Sequence, residues 1–160
     1  FDGIGESFSS DGGRTWSPGQ KSHIDGPCSR FFIRRLASGR LLMINHYKFS
    51  HRIDLDDIMR QGNVKRWKGR SHLTAMLSED DGATWPYTLL LDERDEVSYP
   101  DAKEADDGYI YVTYDHQRVT KREILMARFS EQDILAGRLQ SSRSTLRILV
   151  NKALGQPDIH

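Results

Sequence analysis

The chain has 160 residues with 23 basic and 23 acidic side chains, so its formal net charge is zero. That length suits one domain with a buried core, and the balanced charge argues against nucleic acid or an anionic membrane surface as the main partner. Charged residues make up 29% and hydrophobic ones 37%, no apolar run approaches the roughly 18 residues of a membrane span, and the single cysteine, Cys28, excludes an internal disulfide and a Cys-based zinc cage.

The chain opens at Phe1 with neither a Met nor a signal peptide, which reads as a piece of a processed or longer polypeptide with its targeting information upstream. Residues 4–9 and 20–25 read as two strands on either side of SSDGGRTW (9–16). After the turn-rich DGPC at 25–28 come SRFFIRRL (29–36), the turn ASG (37–39) and RLLMINHY (40–47). A long polar segment, 48–71, follows; RIDLDDIMRQG within it has the pattern of a short helix, and its overall reading is a solvated, charged insertion. HLTAMLS (72–78) leads into SEDDGATW (78–85), then YTLLLDE (87–93). The last group is VSYPDAKEA (97–105), the turn DDG, YIYVTYDH (109–116), REILMARF (122–129) and STLRILVNKA (144–153). SEQDILAG (130–137) has Ser130 as an N-cap and Gly137 as a stop, so it predicts a short helix. The other runs carry Leu, Ile, Val, Phe and Tyr bounded by Gly, Ser, Asp and Pro, and predict strands.

Two segments 69 residues apart fit Ser-x-Asp-x-Gly-x-Thr-Trp: Ser9, Asp11, Gly13, Thr15 and Trp16, then Ser78, Asp80, Gly82, Thr84 and Trp85. The chemistry of this motif is that of a tight turn. Asp accepts from backbone N–H groups of its own turn, Gly supplies a positive φ, the hydroxyls satisfy the remaining groups, and Trp folds back as an apolar plug. Nothing in it requires a ligand, so both aspartates are expected to be structural. A repeat at this period signals a propeller, solenoid or array.

The pattern resembles the Asp box, or BNR repeat, of the sialidase superfamily. That resemblance implies an all-β, sialidase-like β-propeller, six-bladed in the family, of which this chain spans about two and a half blades. Residues 1–27 are then the end of one blade, 28–96 a full blade with the long insertion, and 97–160 a final blade. Open sheet edges are an aggregation liability, so further N-terminal blades or self-association are expected to cover them. The resemblance slightly favours a secreted or periplasmic setting.

In such propellers the boxes lie on one face and the active site on the other. Ser29 and Arg30, Asn45 to Tyr47, Ser98 to Asp101, and Tyr114 to Arg118 converge on the second face. VSYPDA followed by YIYVTYD resembles the sialidase segment that carries a tyrosine nucleophile. The resemblance implies Tyr99 as nucleophile and Asp115 as its catalytic partner, with Arg30, His46, Asp101, His116 and Arg118 as substrate-binding residues. A neutral phenol suits an anomeric carbon that bears a carboxylate, because a carboxylate nucleophile would meet like-charge repulsion. Arginine forks pair with the substrate carboxylate bidentately. The family's first arginine and its Asp acid come from early blades. Glu104 and Glu123 read as surface residues, and no Glu pairs with Tyr99. No His-x-x-x-His spacing is present, so neither metal nor cofactor is expected; Trp67 is a candidate for stacking on a sugar ring. The implied function is a glycoside hydrolase acting on terminal acidic sugars of glycans. The alternatives are a carbohydrate-binding or scaffold propeller without catalysis, or a propeller glycosidase or lyase for another acidic sugar using His and Tyr.

Overall fold

A computed structural model describes residues 3–27, 29–47 and 70–154. The helix expected within 48–71, together with Trp67, lies outside these residues. The described chain is all-β apart from one short helix, and it forms three antiparallel sheets, an arrangement consistent with part of a β-propeller.

The first sheet pairs only β1 (Gly5–Glu6) and β2 (Gln20–Lys21) around the first box. The second has the order β3 (Phe32–Arg35), β4 (Leu41–His46), β5 (Leu73–Ser78), β6 (Tyr87–Asp92), each strand beside its sequence neighbour. The third runs in the same way through β7 (Val97–Glu104), β8 (Tyr109–His116), β9 (Glu123–Ser130) and β10 (Thr145–Lys152). Between β9 and β10 sits the helix α1 (Glu131–Ala136). Ser130 and Asp133 form a reciprocal capping box at its start, and Gly137 ends it with a φ of 67°.

Period-2 patterning explains the core. Along β8, Ile110, Val112, Tyr114 and His116 are buried on one face while Tyr109, Tyr111, Thr113 and Asp115 are less so. β5 is buried along its whole length, as a central strand with sheet neighbours on both sides should be. Leu42, Ile44, Leu73, Ala75, Leu77, Leu89 and Leu91 of the second sheet join Ile110, Val112, Leu125, Ala127 and Phe129 of the third in one cluster, which Ile134 of α1 completes. Full burial of a side chain such as Phe129 is worth about 1.5–3 kcal/mol. Polar ties reinforce this packing. The carboxylate of Asp92, fully buried, accepts from Arg94 at 2.6 and 2.9 Å and from the Tyr114 hydroxyl at 3.0 Å. Burial works to raise the Asp92 pKa, but these donors outweigh it and hold the group below the ordinary carboxylate value.

Both boxes close the same way. Ser Oγ donates to the Asp carboxylate at 2.8 and 2.7 Å, the Gly N–H donates to Ser Oγ at 2.8 Å in each, and the Thr hydroxyl donates to the second Asp oxygen at 2.7 and 2.6 Å. The tryptophans differ from the expected pair of plugs. Each indole folds back toward its box glycine, but Trp16 is 64% exposed whereas Trp85 is half-buried. The physical reason lies in the sheets: Trp85 borders a four-stranded sheet that offers Met43 and Met76, while the first box caps a two-stranded ribbon with little surface to cover an indole.

Candidate active site

Antiparallel pairing sends the boxes and the other loops to opposite ends of the strands. The box turns join β1 to β2 and β5 to β6. The start of β3, the end of β4, the start of β5, the start of β7 and the end of β8 all fall at the other end. Backbone strain gathers there as well. Among the described residues seven non-glycine positions have positive φ, and five of them, His72, Glu96, Tyr99, Gln117 and Arg122, lie in or beside these segments.

Tyr99 is the sharpest case. Ser98 pairs with Asp115 and Asp101 with Thr113, so Tyr99 and Pro100 together oppose the single residue Tyr114. This is a β-bulge, and it re-aims the side chain at the bulged position. Tyr99 takes a φ of 56°, costly for a bulky residue. β7 is an edge strand, which accommodates the missing N–H of Pro100. The result is a tyrosine ring 39% exposed at the sheet end rather than packed in the core.

Two guanidinium groups lie over that ring, Arg118 at 4.0 Å from its centroid and Arg70 at 5.4 Å. Hydrogen bonding and charge from Arg118, together with the charge of Arg70, hold the phenol below its ordinary pKa. Arg118 is itself anchored: its Nε donates to Asp115 Oδ2 at 3.0 Å, its Nη2 lies 2.8 Å from the same oxygen, and Nη2 also donates to Ser98 Oγ at 3.3 Å. Ser98 Oγ in turn donates to Asp115 Oδ1 at 2.6 Å. Both oxygens of Asp115 are thereby engaged.

Beside Tyr99 an open cleft of about 380 Å³ is lined by Ser29, Arg30, Phe31 and Arg70. Ser29 Oγ is buried there with no hydrogen-bond partner among the described residues, an unmet polar atom of the kind a ligand satisfies. Arg30 lies 3.7 Å from Asp101, both side chains largely exposed. A recess of about 80 Å³ shares Arg70 with the cleft and is walled by Glu96, Ser98, Arg118 and Val119. Arg30, Arg70 and Arg118 stand around Tyr99 against Asp101, Asp115 and Glu96, so fixed charge there balances, but it is guanidinium groups that lie over the ring.

The structure thus brings together Tyr99, Asp115, Arg30, Asp101 and Arg118. It does not bring the histidines to the phenol. His46 is buried, its Nδ1–H donating to the Ser71 carbonyl at 2.9 Å, and it lines a separate cavity with Met43, Met76 and Trp85. Burial pushes its pKa down to about 4, with the charge of Arg70 acting in the same direction, so the ring is neutral at neutral pH. His116 is buried on the opposite face of β8 from Asp115, its Nδ1 2.7 Å from Glu123 Oε2. Glu123 is therefore not the surface residue expected of it; the hydrogen bond from His116 holds its carboxyl below the usual range. Glu104 accepts from the Ala37 N–H at 2.8 Å and ties β7 to the β3–β4 turn.

Ser98 was expected on this face but without a role, and Arg70 was not singled out. Arg70 stood at the far end of a 24-residue polar stretch among other basic residues, with only its place before the apolar LTAMLS run to single it out. Among the described residues no group of three or more His, Cys, Asp and Glu side chains could hold a metal ion, and no helix is long and apolar enough to cross a membrane.

A family model of the BNR repeat-like domain matches residues 2–112, which includes both boxes, Arg30, Arg70 and Tyr99 and ends inside β8 before Asp115. No curated protein and no solved structure matches the chain. Repeated boxes, antiparallel four-stranded sheets and a match across more than half its length lead to one conclusion: the chain belongs to the BNR repeat-like domain family, the sialidase/BNR-repeat group of proteins.

Proposed function

We propose that this chain contributes to a sialidase-like glycoside hydrolase that acts on terminal acidic sugars of glycans, with Tyr99 as nucleophile and arginines as the carboxylate clamp. The observation that carries the reading is the bulge that turns Tyr99 out of its strand and under the guanidinium groups of Arg118 and Arg70, beside a cleft that also holds Arg30. In the proposed reaction the phenol oxygen bonds to the anomeric carbon as the glycosidic C–O bond breaks. The phenol proton passes to a base, and the departing oxygen takes a proton from an acid. Water then cleaves the aryl glycoside and restores the phenol. Arg30, Arg70 and Arg118 offer forks for the substrate carboxylate. The acid and the remaining blades belong to this proposal as contributions of a longer polypeptide or of associated copies.

The test is Tyr99→Phe assayed on a fluorogenic sialoside in the full-length protein. The ring volume is kept and the attacking oxygen removed, so turnover is expected to fall by about 10³-fold or more with thermal stability nearly unchanged. A Phe variant with full turnover overturns the nucleophile assignment. One observation favours a second reading, binding without catalysis: both oxygens of Asp115 already accept, Oδ1 from Ser98 and Oδ2 from Arg118, so its carboxylate is committed to holding that arginine. That reading predicts acidic-glycan binding that depends on Arg30 and Arg70, with no turnover in any variant.

A further inference from the structure

We propose that Ser98 and Asp115 are positioning residues that hold the Arg118 guanidinium against the Tyr99 ring, so that a fixed cation, rather than Asp115 acting as a proton acceptor, primes the phenol. The proposal takes Tyr99 as the reacting group of the function proposed above, and it changes the part that Asp115 plays.

The geometry is a closed triangle. Ser98 bonds Asp115 at 2.6 Å, Asp115 bonds Arg118 at 2.8 and 3.0 Å, and Arg118 returns to Ser98 at 3.3 Å. Ser98 is buried and Asp115 nearly so, while Arg118 is about half-exposed. A long side chain in that position would otherwise sample many rotamers, and two anchors on neighbouring strands remove that freedom. The bulge adds the last element. Ser98 is the final paired residue before it and Tyr99 the first unpaired one, so the serine that fixes Arg118 and the ring that Arg118 covers are adjacent in the chain. Carboxylate geometry points the same way: Oδ1 of Asp115 accepts the Ser98 hydroxyl and Oδ2 accepts two N–H groups of Arg118, so the carboxylate is committed to the anchor. The lowered phenol pKa agrees with a cation held at this distance.

The other charged groups near the ring are Arg70 before β5, Arg30 beside β3, Asp101 on β7, and Glu96 in the adjoining recess. None of them changes in Ser98→Ala, which makes that variant the cleanest probe.

The experiment follows phenolate absorbance across alkaline pH and isolates the Tyr99 step by difference from Tyr99→Phe in each background. It needs no substrate. In Ser98→Ala the Tyr99 midpoint is expected to move upward, toward the value in Arg118→Gln. Asp115→Asn separates the two roles by sign. Loss of a nearby negative charge alone would lower the midpoint, whereas release of Arg118 raises it. In the Arg118→Gln background, Ser98→Ala is expected to have no further effect, because its influence runs through Arg118. Thermal melts of each variant confirm that the fold is kept. A midpoint that stays put in Ser98→Ala, falls in Asp115→Asn, or shifts equally without Arg118 overturns the proposal. Failure of the hydrolase reading shows instead as absent turnover with these shifts intact.

Discussion

Asp11 and Asp80 sit on the surface, yet both carboxyl groups are held down to about 2. For Asp11 the backbone N–H of Thr15 is the main cause, followed by the hydroxyls of Thr15 and Ser9; for Asp80 the Thr84 hydroxyl leads, then the Thr84 N–H and Ser78. A carboxyl group whose folded pKa lies below its unfolded value contributes stability above the unfolded value, near 4, and loses that contribution as the pH falls through the folded one. Asp80→Asn is therefore expected to lower the melting temperature by a constant margin above about pH 4 and to match the native protein more closely as pH approaches 2. Melts across that range check it; a margin that does not shrink in acid refutes the ionic role. These turns were legible in the sequence because the bonds that their Ser, Asp, Gly and Thr residues make with one another all fall within eight residues. The full clamp on Tyr99 was not, since it joins Arg70, Ser98 and the Asp115–Arg118 pair from three separate segments. No local pattern encodes that meeting.

Strands and their order followed from alternation and punctuation, and the helix from its caps: Ser130 before and Gly137 after a run too short to be stable alone. The β7 bulge did not follow, because SYPD is compatible with a regular edge strand and the extra residue appears only against the register of β8. What an element rests on also decides what its side chains are worth. Trp85→Ala opens a gap beside a four-stranded sheet and is expected to cost about 2–3 kcal/mol. Trp16→Ala, on the two-stranded ribbon, is expected to stay within about 0.5 kcal/mol. Denaturant midpoints of the two variants make the comparison, and equal losses would show that the indoles share one structural role.

Across the molecule, adhesion between the second and third sheets combines the apolar cluster with the buried Asp92–Tyr114 contact. Burial and the neighbouring Asp92 charge push the Tyr114 phenol well above its ordinary value, so it stays a neutral donor. Tyr114→Phe keeps the ring and leaves Asp92 with the charges of Arg94 and Arg147; a loss of about 1–2 kcal/mol is expected. An unchanged urea midpoint would show that the Tyr114 hydroxyl adds nothing to this adhesion. The outer surfaces differ in kind, since β10 leaves Leu149 and Val150 exposed along a free edge. The separation of box turns from the cleft has a practical corollary. A six-residue strand such as β5 places its two ends roughly 20 Å apart. A tether, label or fusion partner joined at the box turns would leave the mouth of the cleft clear for a bulky glycan. By the same token, the loops that choose a ligand can be exchanged between relatives without disturbing the chemistry that closes the sheets.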